Sequence, residues 1–138
     1  MNSISNDIAH LIVEDGHGVA GGTKEQDWAV HYNRSPDLPT RMISVRDAAP
    51  PPTAKTINTS NEYFWSAFEV RVRAQKADEA RIKAFEIYKT LEKRGSFDFG
   101  GSHYLNIQIA NEPIHVGSDD KGRDIFIMNG VTPRNEIP

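Results

Sequence analysis

Apolar residues recur at Ile4, Ile8, Leu11 and Ile12, the spacing of one helix face, so a first helix is expected over about Ile4 to Asp15. Ser3 or Ser5 can cap its N-terminus, and Gly16 can take the left-handed conformation that stops it. A second, clearer helix is expected from about Ala77 to Arg94, with Ala77, Ala80, Ala84, Ile87, Tyr88 and Leu91 on one stripe. Asp78 and Glu79 in its first turn and Lys93 and Arg94 in its last complement the helix dipole, and Gly95 ends it. The small alanines would let this helix lie close against a sheet. Ile82 and Phe85 fall toward one edge of the stripe. They read either as flanks of a wide core face or as a satellite patch for a neighbouring chain.

Around that helix the period changes to two. From Phe64 to Gln75, Phe68, Val70, Val72 and Ala74 point one way and Glu69, Arg71 and Arg73 the other. Tyr104 to Ala110 alternates as well, with Leu105, Ile107 and Ile109 on one face and Tyr104, Asn106 and Gln108 on the other. Arg41 to Arg46 is a shorter strand with Ile43 and Val45 inward, and Trp28 to Tyr32 is a weaker candidate. Asp124 to Asn129 is the expected last strand, and its run Ile125-Phe126-Ile127-Met128 is apolar on both faces. Asp119-Asp120-Lys121-Gly122-Arg123 supplies the turn before it. Helices interrupting a mostly antiparallel sheet, and covering one face of it, make an α+β fold in a single domain spanning residues 1–138.

Two segments fall outside the periodic pattern. Asp47 to Asn61 holds Pro50, Pro51 and Pro52 in a row, which favours an extended conformation and excludes a central strand. It reads as a long loop inside one domain, either an excursion or a partner-contacting arm. The residues from about Val131 onward read as a polar C-terminal tail.

Composition narrows the function classes. The 138 residues carry 16 basic and 19 acidic side chains, a net charge of −3, which is no footprint for gripping nucleic acid. No apolar run reaches the ~18 residues of a membrane helix. Met1 to Asp15 lacks the basic-then-apolar order of a secretory leader. With no cysteine there is no disulfide, thiolate nucleophile or thiolate zinc site, which suits a reducing cytoplasm.

Candidate chemistry is sparse. Gly16-His17-Gly18-Val19-Ala20-Gly21 matches a dinucleotide fingerprint literally, but it follows a helix instead of a strand, so a helix-exit loop is the better reading. Asp119, Asp120 and Asp124 lack calcium-loop spacing, and Lys121 and Arg123 offset their charge, so a hairpin turn is favoured. The histidines at 10, 17, 31, 103 and 115 show no ligand spacing. Asn58-Thr59-Ser60 is a glycosylation sequon without secretory context. No catalytic, metal or cofactor site is expected. The row Glu69, Arg71 and Arg73 reads either as a solvated sheet face or as an inter-subunit ladder of charge pairs. An assembly or interaction protein is favoured over an enzyme.

The block Phe68-Glu69-Val70-Arg71-Val72-Arg73-Ala74, followed by Ala77-Asp78-Glu79-Ala80 and Ala84-Phe85-Glu86-Ile87-Tyr88-Lys89-Thr90-Leu91, resembles the core of phage minor capsid and tail completion proteins. The likeness continues through Tyr104-Leu105-Asn106-Ile107-Gln108, Pro113 and Gly117 to Asp124, so it covers most of the chain in order. Ala48-Ala49 stands where that family often carries two glycines.

This resemblance implies a tail terminator. Such a subunit is small and forms a ring, usually a hexamer, at the head-proximal end of the tail tube. The ring stops tube polymerisation and offers a docking surface to the head connector. It implies a protein made in a bacterial host cytoplasm and located in the virion neck. The implied partners are the chain itself, tail tube protein and a head-completion protein, with genomic DNA passing through the lumen without sequence readout and no membrane. The expected contact residues are Glu69, Arg71, Arg73, Ile82, Phe85 and Pro50, Pro51 and Pro52. A head-closure subunit and a small-ligand-binding α+β domain are the alternatives.

Overall fold

The fold is that of a computed structural model describing residues 1–49 and 63–137. The Pro50-Pro51-Pro52 contact region and the Asn58-Thr59-Ser60 sequon lie outside the described residues.

The first helix, α1, runs Ile4–Glu14. Ser3 caps it, its hydroxyl accepting from the Asn6 N–H at 3.3 Å. Gly16, at φ +84°, turns the chain out of it. The glycine-rich run then leads into a short strand, β1 (Val19–Ala20), and no helix opens after it, so the phosphate-cradling geometry of a dinucleotide site is not formed. There follow β2 (Ala29–Tyr32), β3 (Met42–Ala48), β4 (Phe64–Ala74) and the second helix, α2 (Ala77–Glu92). The chain closes with β5 (Phe97–Phe99), β6 (Ser102–Tyr104), β7 (Gln108–Ile109), β8 (Ile114–Ser118) and β9 (Asp124–Glu136).

The nine strands of the described residues join one sheet in the order β1-β2-β3-β4-β9-β6-β5, with β7 and β8 also pairing with β9. Among the described residues only the β1–β2 and β2–β3 pairs are parallel. The architecture is α+β, as the alternation of patterns implied. β9 is the spine. It pairs with β4 from Phe64↔Arg134 to Ala74↔Asp124, and its other edge takes β8, β7 and β6 in turn.

Register decides the faces. Cross-strand neighbours Ile43, Val72 and Phe126 share one side, as do Val45, Val70 and Met128, and all six are buried. Ile8, Leu11 and Ile12 from α1 and Ala80, Ala84, Ile87 and Leu91 from α2 complete this core. Ala80 and Ala84 are fully buried and bring α2 close to the sheet. Ala77, expected on the same stripe, is exposed in the first turn. Phe68 packs its ring over Gly130, where an added Cβ would lie 2.4 Å from a ring carbon. A large side chain on β4 is thus accommodated by the absence of one on β9.

Two expectations fail, for related reasons. The strand expected from Tyr104 to Ala110 is split between β6 and β7. The carbonyl of Pro133 accepts from the Leu105 N–H at 3.1 Å, so its proline nitrogen faces the same side with no proton to donate. The ladder breaks there. Three residues, 105–107, stand opposite two, 132–133, and the Thr132 hydroxyl caps the carbonyl of Asn106 instead. The break separates residues of one expected face: Leu105 is 41% exposed while Ile107 is buried, and Tyr104 is fully buried. The polar tail expected from Val131 is likewise the end of β9. Thr132, Pro133 and Arg134 are buried, because a second layer of strand pairing and the buried carboxylate of Asp7 satisfy their polar atoms.

Candidate functional site

Among the described residues no helix covers the opposite face of the sheet. Here Met42, Arg73 and Ile125 align across β3, β4 and β9. Next come Ser44, Arg71 and Ile127, then Arg46, Glu69 and Asn129. Ile114 of β8 stands beside Ile127 and is 52% exposed. The face is therefore charged over β3 and β4 and apolar over β8 and β9. Arg71 donates from Nε to Glu69 Oε1 at 2.5 Å, so the two form a pair within one strand. Arg46 and Arg71 also line a small pocket of about 160 Å³ with Ser35, Ser44 and Arg73.

Arg73 differs from its neighbours on this row. It is buried, and its guanidinium donates to the carbonyls of Pro36, Asp37, Pro39 and Thr40 at 2.9–3.2 Å. Burial, and then the charge of Arg123, push its pKa down. Arg123, buried beside it, donates to Asp119 Oδ2 at 2.8 Å and to Asp37 Oδ1 at 2.9 Å. Lys121 also reaches Asp37. The two arginines clamp the segment from Pro36 to Thr40 against the sheet. The hydrogen bond from Arg123 draws the Asp119 carboxyl down to about 2, and bonds from Lys121 and Arg123 draw Asp37 down as well. Asp119 thus serves the turn into β9: Gly122, at φ +74°, donates to its carbonyl, and Lys121 N–H donates to its carboxylate.

Ile82 and Phe85 lie on α2, on the other side of the molecule. Ile82 is 53% exposed in a shallow groove with Trp28, Lys83 and Glu86, so it is no flank of the core. Phe85 is half-buried, edge-on to Tyr88. The sequence-derived contact residues thus fall into two groups on opposite sides, with Arg73 removed to the interior. Ile114 and Val116, both about half exposed, were missed. Their signal was the alternation Ile114-His115-Val116 directly after Pro113, too short to stand out beside the longer strands.

A third polar group is internal. The Tyr104 hydroxyl donates to Asp7, which is fully buried and lies 3.6 Å from Arg134 Nη1. Burial, then the Asp7 bond, pushes the Tyr104 phenol up. This network ties the start of α1 to β6 and β9, and Arg134 alone of the three lines a cavity, an open one of about 280 Å³ beside Ser3, Asp47 and Ser66. Among the described residues no three His, Asp or Glu side chains converge as metal ligands, and no helix is long and apolar enough to cross a membrane.

No curated protein matches the chain. The family model described as bacteriophage tail terminator protein matches residues 14–131. That span takes in α2, the strands from β1 to β8, the spine up to Val131 and both uncovered faces, so the chain belongs to the bacteriophage tail terminator family and is a structural component of the virion tail.

Proposed function

We propose that the chain is the repeating subunit of a closed ring, of hexameric type, seated at the head-proximal end of the tail tube. The ring stops addition of tube protein, presents its other side to the head-completion protein and lets DNA pass through its lumen without reading it. It works by assembly and not by catalysis.

The observation that carries this reading is the pair of unlike uncovered surfaces on opposite sides of one subunit. One is the sheet face with Arg46, the Glu69–Arg71 pair, Ile114 and Ile127, and the other is the α2 face with Ile82 and Phe85. A ring whose subunits join head to tail needs two different patches per subunit, and charge pairs fix register more than affinity. Arg73 is a support of this face and not a contact.

The test is electron microscopy of particles made when the gene is disrupted. Filled heads beside separate tails of uncontrolled length are expected. Leaking heads beside tails of normal length would move the protein to the head-closure side of the neck, and intact virions would end the proposal.

A further inference from the structure

The parallel edge of the sheet is unfinished. Ala29 and Asn33 donate their backbone N–H groups to Arg41 O (3.2 Å) and Val45 O (2.7 Å), on the β3 side. Alternation along β2 therefore turns the main-chain groups of Val30 and Tyr32 toward β1. Val30 is matched there, its carbonyl accepting from the Gly21 N–H at 3.0 Å. β1 pairs only as far as Ala20↔Val30, and Gly21, at φ +60°, turns the chain away. Among the described residues none pairs with Tyr32 on that side, so its N–H and C=O face an open edge.

That edge borders the cavity, of about 540 Å³, between β2 and α1. Ala9 and Val13 of α1 and Val30 and Tyr32 of β2 line it, and so do His10, His31 and Arg34. No carboxylate lines it. The Arg34 guanidinium has no ion-pair or hydrogen-bond partner among the described residues, while most other arginines of the chain are engaged. Tyr32 is 45% exposed. An unpaired strand edge, an apolar wall and a free cation together specify an occupant: a chain in extended conformation, apolar on alternate residues and acidic between them.

We propose that the open edge of β2 at Tyr32 is a docking slot that takes an extended acidic segment of a partner protein by main-chain pairing. The segment continues the line of β1, its apolar side chains lie on Val13 and Val30, and a carboxylate meets Arg34. The slot is complete within one subunit, so the assignment does not depend on the ring.

The probe is a fluorescent peptide, Val-Glu-Val-Glu-Val, titrated against the full chain by anisotropy, with Val-Lys-Val-Lys-Val as the control. Saturable binding of the glutamate peptide alone is expected, together with slowed hydrogen exchange at the Tyr32 amide. Tyr32→Pro removes the pairing N–H from an edge position where the fold does not use it, and should weaken binding by about tenfold or more. Tyr32→Ala, which keeps that N–H, should weaken it far less, and Arg34→Glu should abolish the preference for glutamate over lysine. If Tyr32→Pro fails to fold, the amide exchange of the unmodified chain decides: an unchanged rate at Tyr32 under saturating peptide overturns the slot. The proposal also fails if neither peptide binds, if both bind equally, or if Tyr32→Pro binds as before. A self-association lost in Tyr32→Pro without peptide binding would assign the edge to a second copy. Preference for oligothymidylate over the peptide would assign it to nucleic acid, and either result overturns the partner named here.

Discussion

Arg71 and Arg73 are two residues apart on one strand face and look equivalent in the sequence, yet they do opposite work. Arg71 is more than a third exposed and spends its charge on a neighbour in its own strand, an arrangement worth at most about 1 kcal/mol. Arg73 holds four carbonyls, of which Asp37's is shared with Arg123. Replacing Arg73 with Met should cost roughly 2–3 kcal/mol in denaturant unfolding and open the segment from Pro36 to Thr40 to proteolysis. Arg71→Ala should leave the midpoint nearly unchanged; equal losses in the two variants would remove the distinction. The partner of this clamp titrates. Asp119 has a pKa of about 2 in the folded chain against an ordinary 3.8, so above pH 3.8 both states are ionised and its contribution is fully present. As pH falls toward 2 the unfolded chain takes up the proton first, and stability is lost. Thermal melts of the native chain should therefore fall more steeply between pH 3.8 and about 2 than those of Asp119→Asn. Parallel curves would show that the carboxylate does not carry this linkage.

At the scale of elements, β9 governs the sheet, and its demands on β4 are steric. Gly130 lies under the Phe68 ring and is not at a positive φ, so only space requires a glycine there. Gly130→Ala should destabilise the fold by about 1–3 kcal/mol through overpacking. A second change, Phe68→Leu, should recover part of that loss, and additive losses in the double variant would mean the two side chains do not share the space. The sequence made both helices and the strands from Met42 and Phe64 legible, because long periodic runs carry their own signal. It hid three kinds of feature. β1, β5 and β8 are too short to show a period. The split between β6 and β7 depends on a proline that lies in another strand. The end of β9 looks polar because Thr132 and Arg134 are satisfied by Asn106 and by Asp7, Ser66 and Asn2, partners remote in the chain. Burial of a charged residue is a property of its partners, and no local pattern reports it. The same limit hid the burial of Arg73, while Ile82 is exposed among the described residues.

For the whole molecule the question is how one small subunit would make the proposed ring. The two uncovered faces differ: one is a sheet surface with Ile127 and Ile114 beside a charge pair, the other a helix surface with Ile82. If the faces join head to tail, each junction uses one face from each of two neighbours. Ile127→Glu should then spoil the sheet face and leave the helix face intact, and Ile82→Glu should do the reverse. Either variant alone should stay folded and fail to form rings, since every subunit has lost one half of every junction. Mixing the two variants restores a single junction, between the sheet face of the Ile82 variant and the helix face of the Ile127 variant. It can go no further, because the two outer faces of that pair are both spoiled. Native mass spectrometry of the mixture should therefore show a heterodimer, with no ring and no homodimer of either variant. A contact of like face on like face predicts a different result: one variant would remain fully competent and the mixture would gain nothing. Rings formed by both single variants would mean that neither face lies at the junction, and the search would move to the β2 edge.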